Sequence, residues 1–358
     1  MEVKYQMKKD RSTKLKSVKL LGKILLPLMI IAFPFLLVAF IISPKFFSRL
    51  VRLIFDYQFK IPPKEFLYTD SVKTITNLKY GAADDERLDL HLPNKKQGSY
   101  PLILWAHGGA YIAGNKKYLA FFARVLANFG YVVATVDYTL APESHYPTPL
   151  VQIKRAYDFL VSDHYQSKEL IDSTRLFLAG DSAGAQIMAQ FALLWTNPNY
   201  RQAFKIAHRD IHLGDTIPTS TLRGMLLYCG PFALKEIQQT PSKLLKFLFR
   251  QTVWAYFGKR RLSNLPALDE VDIISHLTKD FPPSFICDGN TLSFPTHGHD
   301  LSLALKALKV PTTTMIFDKS PRKIYHEFQF DLAIPEARQS LLTALAFLKK
   351  HRDFTSLE

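Results

Sequence analysis

The amino-acid sequence predicts an α/β protein, a mostly parallel sheet with helices on both faces and a helical cap, preceded by one N-terminal transmembrane helix. Three observations carry this expectation. From residue 70 onward, short apolar runs alternate with amphipathic helical ones, the pattern of strands buried on both faces. Of the 358 residues, 47% are hydrophobic, enough for a sizeable core and too many for a disordered chain. Residues 24–44, "ILLPLMIIAFPFLLVAFIISP", carry no charge over twenty-one positions, about the length a helix needs to cross a bilayer.

The N-terminal end comes first in the chain and holds most of its basicity. The formal net charge is +15, and residues 1–64 contain thirteen Lys or Arg against Glu2, Asp10 and Asp56. Nucleic-acid binding is therefore disfavoured, and the excess reads as a topology signal with lipid-headgroup contact. A cleaved signal peptide is the rival reading of the span. Its apolar core would be shorter and would end at a small-residue site, whereas "SPKFF" stands at the end of this one. Eight Lys or Arg precede residue 24 and five lie between Lys45 and Lys64. The positive-inside rule then expects a cytoplasmic 1–23, a span over 24–44 and the remaining chain on the outer or lumenal side. Residues 45–69 include "FFSRLVRLIFDYQFK", an amphipathic linker suited to the membrane surface or to packing on the domain.

The domain expected over 70–358 opens with "SVKTITNLKY" and "RLDLHL" as a strand pair, the second with period-2 alternation. "PLILWA" and "YVVATVDY" read as buried strands around the helix "YLAFFARVLANFG", stopped by Gly130. "VQIKRAYDFLVSD" is a helix, "TRLFLAG" a strand and "AGAQIMAQFALLW" a helix. "LRGMLLYCG", "PPSFICDG" and "TTTMIFDK" are later strands, with "DLSLALKALK" and "EARQSLLTALAFLKK" the helices packed on them. Residues 232–280 interrupt the alternation and form a candidate cap. Cys229 and Cys287 end apolar runs as small core residues; with no C-x-x-C, they indicate neither a zinc site nor a disulfide framework.

Chemistry concentrates in two turns. "GDSAG" places Ser182 between Gly180 and Gly184 at a strand end, the pattern of a nucleophile elbow or of a plain tight turn. "HGGAY" comes directly after "PLILWA", where Gly108 and Gly109 let backbone amides approach a developing oxyanion. Gly108, Gly109, Ala110 and Ala183 are thus the candidate oxyanion donors. Both motifs, in this order on successive strand ends, favour the catalytic reading.

"HGGAY", "DYTLAPESHYPTP" and "GDSAG" together resemble the hormone-sensitive-lipase branch of the α/β-hydrolases, with its acetyl-esterase-like carboxylesterases, over residues 70 to 350. That resemblance implies the α/β-hydrolase fold, a serine hydrolase mechanism and no metal or organic cofactor. Ala110 departs from the family's third glycine, although its amide still donates. His326, in "YHEFQFD", is the expected base and matches the family's H-G-F element with Glu327 in place of glycine. The expected acid lies beyond "PPSFI" in the order Ser, Asp, His. Asp288 is the candidate in "CDGNTLSF", with Asn290 and Asp300 as alternatives. His107 should brace its loop, Asp181 should support the site, and Glu143 should fix a loop. His297 and His299 invite a metal reading, but i and i+2 on a helix face apart, and no carboxylate motif completes a site.

The sequence therefore leads to a membrane-anchored serine carboxylesterase acting on small, short-chain acyl esters. Amide or peptide hydrolysis on the same machinery is one alternative, and a non-catalytic hydrolase-like adhesion or scaffold domain is another.

Overall fold

A computed structural model of the chain describes residues 34, 38–55, 63–66, 71–94, 98–163, 165, 168–237, 243–261 and 265–352. Residues 1–23 and most of the apolar span 24–44 lie outside these. Among the described residues, no helix is long and apolar enough to cross a membrane.

Eight strands form one sheet: β1 (Val72–Lys79), β2 (Arg87–Pro93), β3 (Tyr100–Ala106), β4 (Val132–Val136), β5 (Ile171–Asp181), β6 (Leu222–Tyr228), β7 (Ser284–Asp288) and β8 (Thr312–Ile316). Their spatial order is β1-β2-β4-β3-β5-β6-β7-β8. β1 pairs antiparallel with β2 and β2 with β4, and every later pairing is parallel. This is the α/β-hydrolase arrangement, with the mostly parallel sheet that the alternation predicts.

Both faces of the sheet are covered, as parallel strands require. Successive residues of β3 enter two different cores: Leu102, Leu104 and Ala106 one, Ile103 and Trp105 the other. The first core takes α3 (Thr148–Val161), α4 (Ala183–Thr196) and α7 (Pro295–Ala307). The second takes α2 (Ala120–Asn128) and α8 (Pro335–Arg352). α4 is buried on every side, which accounts for its largely apolar sequence, with Gln186 and Gln190 buried among the rest.

β2 is buried on both faces over its central residues. Its polar positions alternate as its period-2 pattern predicts, but Asp89 and His91 are buried. Asp89 accepts from the Asn77 amide at 2.7 Å and pairs with Lys116 Nζ at 3.4 Å. His91 Nδ1 shares a hydrogen bond with Thr74 Oγ1 at 3.1 Å. Burial of Asp89 is tolerated because partners are supplied, and burial pushes the His91 pKa down to about 3, which keeps the ring neutral.

Two segments pack over the C-terminal side of the sheet. α1 (Pro44–Phe55), in the expected linker, buries Phe47 and Ser48 against the domain. Its Arg52 donates to the carbonyls of Ile112 (2.6 Å) and Ala141 (2.9 Å) and forms an ion pair with Glu143 at 2.6 Å. Glu143 thus fixes its loop to α1. The 232–280 segment contains α6 (Lys243–Phe257), which buries Val253, Tyr256 and Phe257. Tyr256 stacks on Tyr111 of the "HGGAY" loop with ring centroids 4.0 Å apart. Gln251 Nε2 donates to the Ile41 carbonyl at 2.9 Å, tying α6 to the segment before α1.

Candidate active site

β5 runs straight into α4, and Ser182 sits at the turn with φ 51° and ψ −122°. A residue other than glycine rarely adopts a positive φ, so the turn must be held from outside. The Ser182 amide donates to the Tyr228 carbonyl at 2.8 Å. On the other side α4 approaches β3 so closely that a Cβ on Gly184 would stand 2.1 Å from the Ala106 carbonyl oxygen. This close approach explains the glycine two residues after the serine, and it separates an elbow from a plain turn.

His326 lies 144 residues away in sequence, yet its Nε2 is 2.8 Å from Ser182 Oγ. It is delivered by the loop after β8, where the His326 amide donates to the Thr291 carbonyl at 3.1 Å. The imidazole is only 25% exposed, and burial pushes its pKa down to about 4. It is therefore neutral at pH 7 and able to accept the serine proton.

Asp288 ends β7 and does not hydrogen-bond to His326 directly. Ser293 stands between them: its Oγ is 2.8 Å from His326 Nδ1 and also donates to Asp288 Oδ1. The Gly289 amide adds a second donor to Oδ1 at 2.7 Å. Burial raises Asp288 to about 6, opposed first by the Ser293 hydrogen bond. No sequence motif marks Ser293, a serine five residues beyond the acid. The alternatives are placed elsewhere. Asn290 turns its amide to the carbonyls of Phe317, Ser320 and Arg322, and its oxygen accepts from the Ile324 amide. Asp300 is exposed on α7.

The oxyanion donors expected from sequence divide. The Gly108 amide is already taken, donating to Asp181 Oδ2 at 2.7 Å. This corrects the expectation that it faces the oxyanion. The amides of Gly109 and Ala110 have no partner among the described residues. Ala183 opens α4, where the first amides of a helix lack intrahelical acceptors. Ala110 has φ 54°, a conformation glycine would adopt more easily.

His107 braces its own loop. Its ring stacks on Tyr138 with centroids 4.5 Å apart, and Nδ1 is 2.6 Å from the Gly108 carbonyl. His297 and His299 separate as their spacing predicts: His297 Nδ1 accepts from the Ala233 amide, and His299 Nε2 lies 3.2 Å from Asp318. Among the described residues, the group with metal-like spacing is instead Cys229, Asp288 and His326, within 4.8 Å of one another. A metal there would need the imidazole that already bonds both Ser182 and Ser293.

These groups predict an acid limb. Both are displaced towards each other, so the serine, aspartate and histidine lose their working state only below the ordinary imidazole value. As pH falls, Asp288 is neutralised near about 6 and His326 is protonated near about 4. kcat/KM for an ester should hold from pH 8 down to about 6.5 and then fall through the macroscopic values of the pair. A limb centred above about 7 would contradict the burial argument.

Similar proteins agree with the fold. Residues 88–295 match the BD-FAE family model. Kynurenine formamidase of Danio rerio is 31% identical over 140 residues, 38% of this chain and 46% of that protein. The probable carboxylic ester hydrolase LipM of Mycobacterium tuberculosis is 23% identical over 216 residues, 59% of this chain and 46% of that protein. These matches span less than half the length of the curated relatives. Among solved structures, an inhibited esterase B from Lactobacillus rhamnosis superposes with a TM-score of 0.66 at 18% identity, covering 86% of this chain and 94% of that one. The thermostable carboxylesterase EstE1 from a metagenomic library gives 0.60 at 19%, covering 87% and 98%. With a match running from β2 to the start of α7, more than half its length, this chain belongs to the BD-FAE family, on an α/β-hydrolase fold.

Proposed function

We propose that this chain is a membrane-anchored serine carboxylesterase that hydrolyses short-chain acyl esters. The observation that carries the reading is the 2.8 Å contact between Ser182 Oγ and a neutral, buried His326. His326 Nε2 takes the hydroxyl proton as Oγ attacks the ester carbonyl. The amides of Gly109, Ala110 and Ala183 receive the oxyanion. The protonated imidazole then returns its proton to the leaving alcohol, and water repeats the sequence to release the acid. The chain's own residues suffice for each step.

Anchoring rests on the uncharged run 24–44 and on the apolar surface of the adjoining segment. Ile41, Ile42, Leu50 and Leu53 are exposed on the stretch that leads into and through α1. Apolar side chains so placed suit a lipid surface. The charge asymmetry favours an N-terminus in the cytoplasm and a catalytic domain outside or in a lumen.

Short acyl groups are favoured because the C-terminal half of α6 is used up inside the protein. Val253 and Phe257 are buried in the core with Tyr256 stacked on Tyr111. Each added methylene gains about 0.8 kcal/mol only where it finds apolar space. Amide hydrolysis is the second reading, favoured by the similarity to a protein named kynurenine formamidase.

One experiment tests these together. Carbonate-washed membranes bearing the full chain are assayed with p-nitrophenyl esters of graded length and with formanilide. Activity should stay in the pellet and peak between acetyl and hexanoyl esters. Recovery in the supernatant would reject the anchor, rates still rising at palmitate would reject the short-acyl preference, and faster formanilide cleavage would select the amidase.

A further inference from the structure

Two buried carboxyl groups stand beside the reacting atoms without belonging to the Ser182–His326–Ser293–Asp288 chain. Asp181 ends β5, where its Oδ1 accepts from Trp105 Nε1 at 2.8 Å and its Oδ2 from the Gly108 amide at 2.7 Å. The Glu327 carboxyl group lies beside the same carboxyl group, against Gly108. Glu327 Oε1 also lies 3.9 Å from His326 Nε2. A Cβ on Gly108 would stand 2.5 Å from Asp181 Oδ2 and 2.5 Å from Glu327 Oε1. The acid pair therefore occupies the space beside Gly108, and this contact, more than access for an oxyanion, requires glycine there.

Two carboxyl groups packed side by side away from water keep a proton on one of them, since two negative charges there repel. Burial, with the nearby Asp181 charge second, drives Glu327 well above the usual carboxylate range. Burial raises Asp181 too, but its two N–H donors, from Trp105 and Gly108, oppose that and make it the charged member. Glu327 has φ 57°, where glycine would sit without strain. The backbone thus does not ask for this side chain, whereas the site does.

We propose that the Asp181–Glu327 pair, holding one proton between its members, positions the oxyanion loop through Gly108 and supplies the counter-charge on the Nε2 side of His326. The proposal rests on the serine-hydrolase reading above. During acylation the Ser182 Oγ–H bond breaks and the proton moves to His326 Nε2. Oγ bonds to the carbonyl carbon, whose π pair moves to the oxygen. Asp288 meets the resulting imidazolium only through Ser293, on the Nδ1 side. The acid pair meets it from the other side with a net single negative charge. Glu327 keeps its proton throughout. Its loss would leave two negative charges beside the developing oxyanion, so activity falls on the alkaline side as the pair ionises fully.

The titratable groups facing the pair are His107 and Tyr138 from the loops after β3 and β4, Cys229 after β6, and His326 itself. Burial pushes Tyr138 and Cys229 up. Neither therefore ionises ahead of its ordinary range to mimic the limb.

Glu327→Ala, Glu327→Gly and Glu327→Gln in the full chain test the proposal, each checked for an unchanged melting temperature. Glu327→Ala and Glu327→Gly should lower kcat about 30-fold with KM within about 2-fold, the mark of an interaction made in the transition state. Glu327→Gln, which keeps a neutral donor to Asp181, should recover most of that loss and should lack the alkaline limb. Infrared spectra should show a protonated carboxylic acid at neutral pH that disappears in Glu327→Gln. Wild-type kcat in Glu327→Ala, or an alkaline limb that survives in Glu327→Gln, overturns the proposal. The infrared band reads the shared proton whether or not an ester turns over. A silent enzyme that shows the band therefore rejects the hydrolase reading, and an active enzyme without the band rejects the acid pair.

Discussion

Ser182→Ala should remove ester hydrolysis almost completely, by about 10⁴-fold or more in kcat, while leaving the fold intact. The size of the effect comes from the chemistry: without Oγ there is no acyl-enzyme, and only binding and the oxyanion amides remain to help water attack. The fold should survive because the elbow is held by groups other than the hydroxyl. The Ser182 amide bonds the Tyr228 carbonyl, and the Ser182 carbonyl accepts from the amides of Ala185 and Gln186 at the start of α4. Alanine at φ 51° is as strained as serine, so the substitution adds no new backbone cost. The measurement is paired: turnover of a short p-nitrophenyl ester, and covalent labelling by a fluorophosphonate, which transfers its phosphonyl group to an activated serine with loss of fluoride. Both should vanish together. Labelling that persists in Ser182→Ala would place the nucleophile elsewhere, and turnover near that of the wild type would reject the acyl-enzyme.

Much of the sheet was legible because buried parallel strands leave a simple trace. "PLILWA" and "TRLFLAG" are continuous apolar runs, and they become adjacent strands β3 and β5 whose ends carry the two motifs. The meeting of Ser182 and His326 was legible for a related reason: an elbow needs small neighbours, and the family resemblance expects a histidine after the last strand. What escaped the sequence is contact between side chains distant along the chain. Ser293 is an ordinary loop serine until β7 and the loop after β8 bring Asp288 and His326 to its two sides. Gly108 looked like an oxyanion donor because spacing cannot show that a carboxylate from β5 reaches its amide first. Arg52 belonged to a stretch read as a linker, and its hold on the Ile112 and Ala141 carbonyls depends on how α1 docks. Glu327 was visible as a departure from a glycine, but its partner Asp181 was not.

The acid turn yields the second large effect. Asp288→Asn should lower kcat by about 10³ to 10⁴, because an amide cannot offset the charge that forms on the imidazole and can reverse the hydrogen-bond direction through Ser293. Ser293→Ala should cost less, about 10- to 100-fold. It removes the bridge but leaves a negative carboxylate within 4.8 Å of the ring, across a gap that a water could fill. The ordering separates two roles: Asp288 supplies charge, and Ser293 carries its direction to Nδ1 and fixes the tautomer that leaves Nε2 free for the serine proton. Asn290→Ala provides the contrast. Its amide serves the carbonyls of Phe317, Ser320 and Arg322, so its loss should appear as a lower melting temperature from loosening of the loop that carries His326, with a far smaller loss of rate than Asp288→Asn. Steady-state kinetics of the three variants beside their melting curves decide the assignment. If Asn290→Ala were as inactive as Asp288→Asn while melting like the wild type, the acid would not be Asp288. If Ser293→Ala matched Asp288→Asn in rate, the carboxylate would act only through the hydroxyl, and its charge would count for little at this distance.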